Sequence, residues 1–358
     1  LRITQRYFDV HTVVGEQSER YLPNPSKYRE AVLQGKIAVE EHYALPPVEA
    51  AGNNAFDEDY LADVQRRLSN RELRLAEMDA HGIEYTPVSL TEPGVQGIPD
   101  PRETIDMAKR CNDHVYEYYI QPFPKRFGGL AAVPLQDPKA AAAELERAVT
   151  QLGFVGCMIN GFTDVADSNR PLYLDSERCL PFWEKVAELN VPVSLHPRVP
   201  HHSQRMALDG LEGIWGSAWG FGRETAEHAI RLILSGLLDR FPTVNVVLGH
   251  MGEALTFTLP RMDHRLRYQS NIGHGRHQRP AADYLRTNFY LSTSGNARTQ
   301  QLRAIMAEMP VERILFAVDM PFEKASEIAA WFDHCEISEG DRQKIGRDNA
   351  RRLFKLPE

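Results

Sequence analysis

From residue 36 to the C-terminus the chain repeats one pattern, a short apolar, β-branched run followed by a longer stretch of helical period. The runs are IAVEEH at 37–42, EYTPVSL at 84–90, FGGLAAVPL at 127–135 and FVGCMING at 154–161, then VPVSLHP at 191–197, VNVVLGHMG at 244–252, FYLSTSG at 289–295 and ILFAVDMPF at 314–322. Runs of this length and composition suit strands buried on both faces, as parallel strands are. Between them lie helical stripes. Leu61, Val64, Leu68, Leu75 and Met78 form one, expected to run unbroken until Gly82 stops it. Ala141, Leu145, Ala148 and Leu152 form a second, and Ala226, Ala229, Ile230, Ile233 and Leu237 a third. Parallel strands need a covering crossover between them, so eight such runs predict an α/β fold, the closed (β/α)₈ TIM barrel. An open doubly wound sheet is the alternative, but no Gly-rich phosphate loop follows the first run.

The 358 residues would suffice for two average domains, yet a barrel uses about 250 residues as one. Residues 35–358 are therefore expected to form a single barrel. Residues 1–34, polar and carrying Pro23 and Pro25 without sustained periodicity, are expected to be an N-terminal arm or extension. The net charge of −8 comes with no dense Lys/Arg run, which argues against a nucleic-acid or anionic-membrane partner. Cys111, Cys157, Cys179 and Cys335 stand far apart and read as reduced thiols of a cytoplasmic protein. No apolar run approaches the roughly 20 residues that span a bilayer.

In a barrel, chemistry gathers at the C-terminal ends of the strands. Glu40 and His42 close the first run, and their i, i+2 spacing puts both on one face, with Glu41 pointing away. His196 ends the fifth run, His250 the sixth with Glu253 just beyond it, and Asp319 the eighth. A lone strand-end His or Asp is usually structural. Here five ionisable groups fall at the same end of four strands that a barrel would bring together, which points to a divalent metal. Mixed carboxylate and imidazole donors suit Zn²⁺, Mn²⁺ or Fe²⁺. Other candidates have blander readings. Asp9 and His11 precede the barrel; His201 and His202 read as exposed loop residues; His228, sharing a helical face with Glu224 and Arg231, reads as solvated; His264, His274 and His277 read as surface groups; Cys157 reads as core. The Gly- and Trp-rich segment 209–222 fits either a cover over a pocket or a structural loop.

Several longer segments resemble the metal-dependent decarboxylase branch of the amidohydrolase superfamily, and within it the γ-resorcylate (2,6-dihydroxybenzoate) type with its 2,3-dihydroxybenzoate and salicylate relatives. They are GKIAVEEHYALP at 35–46, MDAHGIE at 78–84, PGVQGIPD at 93–100, LGFVGCMINGF at 152–162, VPVSLHPR at 191–198, the text from Leu237 through Leu255, TSGNARTQ at 293–300, RILFAVDMPFE at 313–323 and IGRDNARRLFKL at 345–356. The resemblance implies Glu40, His42, His196 and Asp319 as ligands of one Zn²⁺ or Mn²⁺. It implies Asp319, His250 and Glu253 as the catalytic groups, with Glu253 orienting His250. Arg261 and Phe322 are weaker candidates for substrate binding. His42, where some relatives carry Ala, favours the γ-resorcylate type; Met320, where that type commonly has Trp, and the segment 50–58 depart from it. The implied reaction is nonoxidative decarboxylation of an ortho-hydroxybenzoate by a homodimer or homotetramer. A metal-dependent lactone or amide hydrolase, or a catalytically silent barrel, are the alternatives.

Overall fold

The structure, a computed structural model, describes residues 32–45, 56–166, 168–269 and 275–357. The proposed arm up to residue 31, Asp9, His11, His274 and most of segment 50–58 lie outside the described residues.

The first run forms two short pieces, β1 (Lys36–Ile37) and β2 (Glu41–Tyr43), both paired in parallel with β3 (Ile83–Leu90). The order continues through β4 (Phe127–Ala131), β5 (Gly156–Asn160), β8 (Val193–His196), β9 (Val246–Leu248), β10 (Phe289–Ser292) and β11 (Ile314–Leu315), every neighbour parallel. Closure follows from bonds between the last stave and the first: Val39 N–H to Phe316 O at 3.2 Å, Asp319 N–H to Glu40 O at 3.1 Å and His42 N–H to Met320 O at 2.8 Å. The sheet is thus the (β/α)₈ barrel that the strand alternation predicts. A hairpin of β6 (Thr163–Val165) and β7 (Ser168–Leu172), antiparallel and not anticipated, follows the fourth stave.

Alternation along each strand divides the core in two. One set, including Ala131, Cys157, Ile159, Val246, Leu248 and Phe316, packs outward against the helices. The other, Ile37, Val39, Leu130, Met158, Val247, Tyr290, Leu315 and Ala317, fills the barrel, with Leu353 and Phe354 of the helix Asn349–Phe354 packed against it. Two positions further along the same inward rows, the side chains turn polar: Asn160 follows Met158, Ser292 follows Tyr290 and Asp319 follows Ala317. In the first stave consecutive Val39 and Glu40 both serve the interior, so the alternation slips by one residue in the interruption between β1 and β2.

The helices mostly follow their stripes. Ala141, Leu145 and Ala148 are buried on Pro138–Gln151, which Asp137 caps with Pro138 in its first turn. The first stripe, however, is two helices, Glu58–Leu68 and Arg71–Ala80. Asn70 divides them because its side chain accepts from Leu73 N–H at 3.0 Å, opening a new helix where the apolar spacing alone suggested continuity.

Candidate metal centre

The four ligand candidates reach the mouth of the barrel from three staves. Glu40 and His42 come from the first, His196 ends β8, and Asp319 stands beyond β11. One ligand atom from each lies within 4.8 Å of all the others. His42 Nε2 is 3.2 Å from Asp319 Oδ1, and the His42 and His196 ring centroids are 4.5 Å apart. Ligand atoms bound to one ion at roughly 2.0–2.2 Å fall about 3 Å apart, so these separations suit a shared coordination sphere.

The hydrogen bonding gives the stronger test of fit. Glu40 Oε2 accepts from Ser292 Oγ at 2.8 Å, while Glu40 Oε1, His42 Nε2 and Asp319 Oδ1 are buried with no hydrogen-bond partner. Buried polar atoms are normally paired, because each unpaired one costs roughly 1–3 kcal/mol. Three orphans facing one point, in a donor set of two carboxylates and two imidazoles, fit a divalent cation.

Each imidazole has a side turned toward the other candidates and a side turned away. Ser89 Oγ lies 3.2 Å from both Glu41 O and His42 Nδ1, so an outer contact occupies the Nδ1 side of the ring. His42 Nε2 is thereby left facing the other three candidates. Burial, with His42 adding to it, holds His196 well below the usual imidazole range, which favours the neutral form that can ligate.

A second pair stands beside this cluster. His250 Nδ1 is 2.6 Å from Glu253 Oε1, and His250 Nε2 is 3.5 Å from Asp319 Oδ2. Burial opposes charge on His250, but Glu253, Asp319 and Glu40 outweigh it and hold the imidazole well above its ordinary range. Asp319 answers in the opposite sense: burial pushes it up, yet the contacts from His250 and His42 hold its carboxyl well below the carboxylate range. The backbone that presents these groups is strained. His250, Met251, Glu253, Ala254 and Asp319 all have positive φ, from 51° to 79°, a region that costs non-glycine residues of order 1–3 kcal/mol each. Gly249 sits so close to Glu40 that a Cβ there would lie 2.4 Å from Oε1.

Glu41 does point away from the barrel interior, but it is buried and does structural work. Its two oxygens accept from Val318 N–H and Met320 N–H, both at 2.9 Å, tying the first stave to the last. Burial, opposed by Arg74, pushes its pKa up to about 8.

Two cavities meet at His250 and Asp319. A cavity of about 180 Å³ is walled by Tyr60, Leu61, Val64, Val199 and Phe322, with His196 at its base. A wider one, about 640 Å³, runs past Trp219, Arg223, Glu227 and Asn296. Ser217 and Phe221 of the Gly- and Trp-rich segment line both, so that segment covers the pocket.

Of the weaker candidates, Phe322 is brought in, its ring centroid 5.8 Å from that of His42. Arg261 is not. The helix Leu255–Leu266 buries Leu255, Thr256 and Leu259, which turns Arg261 to solvent. His228 corrects the sequence expectation: with Glu224 it is fully buried rather than solvated, its Nε2 accepting from Leu174 N–H at 3.0 Å and its ring set edge-on to Tyr173. Helical spacing showed their shared face but not that the β6–β7 hairpin region packs against it. Sequence reasoning also missed Ser89, Asn160, Ser292 and Glu323, the last lining both cavities. The usable signal for Asn160 and Ser292 was their place two residues beyond an inward apolar side chain.

Comparison with known proteins places this geometry. The family model described as amidohydrolase matches residues 25–356. The γ-resorcylate decarboxylase of Rhizobium sp. (strain MTP-10005) is 46% identical over 325 residues, 90% of this chain and 99% of that protein. A 2,6-dihydroxybenzoate decarboxylase solved with 2,6-dihydroxybenzoate superposes with a TM-score of 0.87 at 46% identity, covering 90% of this chain and 100% of its own. The dihydroxybenzoic acid decarboxylase of Polaromonas sp. JS666, solved with manganese and the inhibitor 2-nitroresorcinol, gives 0.87 at 44% identity, covering 90% and 98%.

Proposed function

The chain belongs to the amidohydrolase family, and from that premise we propose that it is a metal-dependent carboxy-lyase that decarboxylates 2,6-dihydroxybenzoate or a close ortho-hydroxybenzoate. The observation that carries this reading is the convergence of Glu40, His42, His196 and Asp319, with orphaned atoms turned inward, at the base of a ring-sized apolar cavity. These four are the proposed ligands, and manganese, bound in the Polaromonas relative, is the first candidate ion, with zinc the second.

Direct loss of CO₂ from an aryl carboxylate would leave an aryl carbanion of very high energy. When bound, a divalent ion supplies Lewis acidity to the ionised ortho oxygen and one carboxylate oxygen of the substrate. Phe322 and Tyr60 pack the ring and exclude water. Asp319 is the proposed proton donor to the ring carbon that bears the carboxylate, which makes that carbon tetrahedral and breaks aromaticity. Cleavage of the C–C bond then returns its electron pair to the ring, releases CO₂ and restores aromaticity. The contacts that lower Asp319 and raise His250, 3.5 Å away and paired with Glu253, favour a carboxylate beside an imidazolium. His250 is thus the proposed source of the proton that Asp319 delivers.

The decisive assay offers purified, manganese-loaded protein a panel of 2,6-dihydroxybenzoate, 2,3-dihydroxybenzoate, salicylate, 4-hydroxybenzoate and a simple lactone. CO₂ release that demands an ortho hydroxyl is expected; turnover of the lactone alone would overturn the proposal in favour of a hydrolase. A homodimer or homotetramer is the proposed assembly. The exposed Trp219, Phe257 and Tyr268 support it as apolar surface for an interface, and light scattering on the eluting protein tests it. All four cysteines are free and buried, which supports a reducing compartment such as the cytoplasm.

A further inference from the structure

His196 owes its orientation to one side chain that no comparison assigns a role. Asn160, at the end of β5, is buried, and its Oδ1 lies 2.8 Å from His196 Nδ1. Which way the amide faces is decided by its other end. Nδ2 donates to Leu90 O at 3.1 Å, and a carbonyl can only accept, so the oxygen must face the imidazole. His196 Nδ1 therefore bears the hydrogen, and its Nε2 lone pair points toward Glu40, His42 and Asp319.

The turn Pro93–Ile98 anchors the backbone of Asn160 and walls its side chain. Gln96 Oε1 accepts from Asn160 N–H at 3.4 Å while Gln96 Nε2 donates to Val133 O at 3.0 Å. Gly94, at φ +60°, leaves the space the amide fills; a Cβ there would lie 2.3 Å from Asn160 Nδ2. The amide serves both contacts, whereas a carboxylate would keep the acceptor toward His196 and lose only the donation to Leu90 O, a cost that unfolding of the apo protein registers. Ser89 behind His42 and Ser292 behind Glu40 are neutral in the same way. Outer partners of this kind orient a ligating imidazole and tune its basicity.

We propose that Asn160 is a positioning residue of the metal centre, fixing His196 in its Nδ1–H tautomer and thereby setting the affinity for the divalent ion. The proposal rests on reading Glu40, His42, His196 and Asp319 as the ligands. Its test is Mn²⁺ binding by metal-stripped protein, read from the free-Mn²⁺ paramagnetic resonance signal, with thermal unfolding of each apo form alongside. Asn160→Leu keeps the volume and removes the acceptor, and Asn160→Asp keeps an acceptor. The leucine variant is expected to bind Mn²⁺ about 10- to 100-fold more weakly than the wild type, with the aspartate variant recovering at least about tenfold of that loss. Wild-type affinity in the leucine variant, or equal losses in both, overturns the proposal. If N160L yields no folded apo protein, Gly94→Ala, which crowds the amide from outside, takes its place with the same two outcomes. Failure of the wild type to bind Mn²⁺ would instead sink the four-ligand reading.

Discussion

Lys36 and Glu40 stand four residues apart on the first stave, both buried and both ionisable, at opposite ends of the barrel. Their surroundings are opposites too. At the floor, Lys36 Nζ donates to Leu33 O at 2.8 Å and to Asp333 Oδ1 and Oδ2 at 2.8 and 2.9 Å, so all three of its hydrogens are used. At the mouth, Glu40 Oε1, His42 Nε2 and Asp319 Oδ1 have no hydrogen-bond partner. A buried charge that is fully paired holds a fold in one arrangement; one left unpaired destabilises it unless a ligand arrives. The floor of this barrel is finished by the chain alone, and the mouth is finished by an ion and a substrate.

Breaking each end should therefore cost different things. Asp319→Asn should lower kcat by roughly 10³-fold while leaving chemical denaturation of the apo protein nearly unchanged; near-normal turnover removes Asp319 from the reaction. Lys36→Met strands the Asp333 carboxylate and should cost about 3–5 kcal/mol of stability in urea, with kcat at low temperature preserved. Loss of turnover in a folded K36M protein would erase the distinction between the two ends.

Adding Mn²⁺ to stripped protein at a hundred times its Kd should raise stability by about 2.7 kcal/mol, and superimposable melting curves with and without it would contradict the mouth being completed by an ion. Glu253→Gln removes the charge 2.6 Å from His250 Nδ1, and the sign follows from that contact. Glu253 raises the His250 pKa, so its loss lowers it, and the alkaline limb of the kcat profile should move to lower pH by about one unit. An unmoved or upward-shifted limb excludes His250 as the proton source. The smallest effects are at the wall. Phe322→Ala should raise KM about tenfold, the worth of one ring contact, whereas exposed Arg261→Ala should stay within about twofold; the reverse pattern would misplace the substrate.

Much of this was legible without coordinates. Eight buried runs separated by helical stripes can close only in a few ways, and period-two spacing put Glu40 and His42 on one face before any distance was known. His196, His250 and Asp319 were visible as ionisable groups at strand ends. The errors came where one element's fate depended on another. His228 lies on a helix whose stripe was read correctly, yet core rather than solvent was chosen by the neighbour its face met. Asn70 split a helix through a single side-chain hydrogen bond that apolar spacing cannot register.

The order of elements and the set of inward-facing groups were properties of the sequence, because alternation and helical period follow from the covalent geometry of neighbouring residues. Tertiary structure alone decided that Glu40 and Asp319, 279 positions apart, would share a point in space, that Ser89, Asn160 and Ser292 would stand behind the ligands, and that the backbone at 250–254 would turn left-handed to aim His250. Those are consequences of barrel closure, a constraint between segments that no local pattern of residues contains.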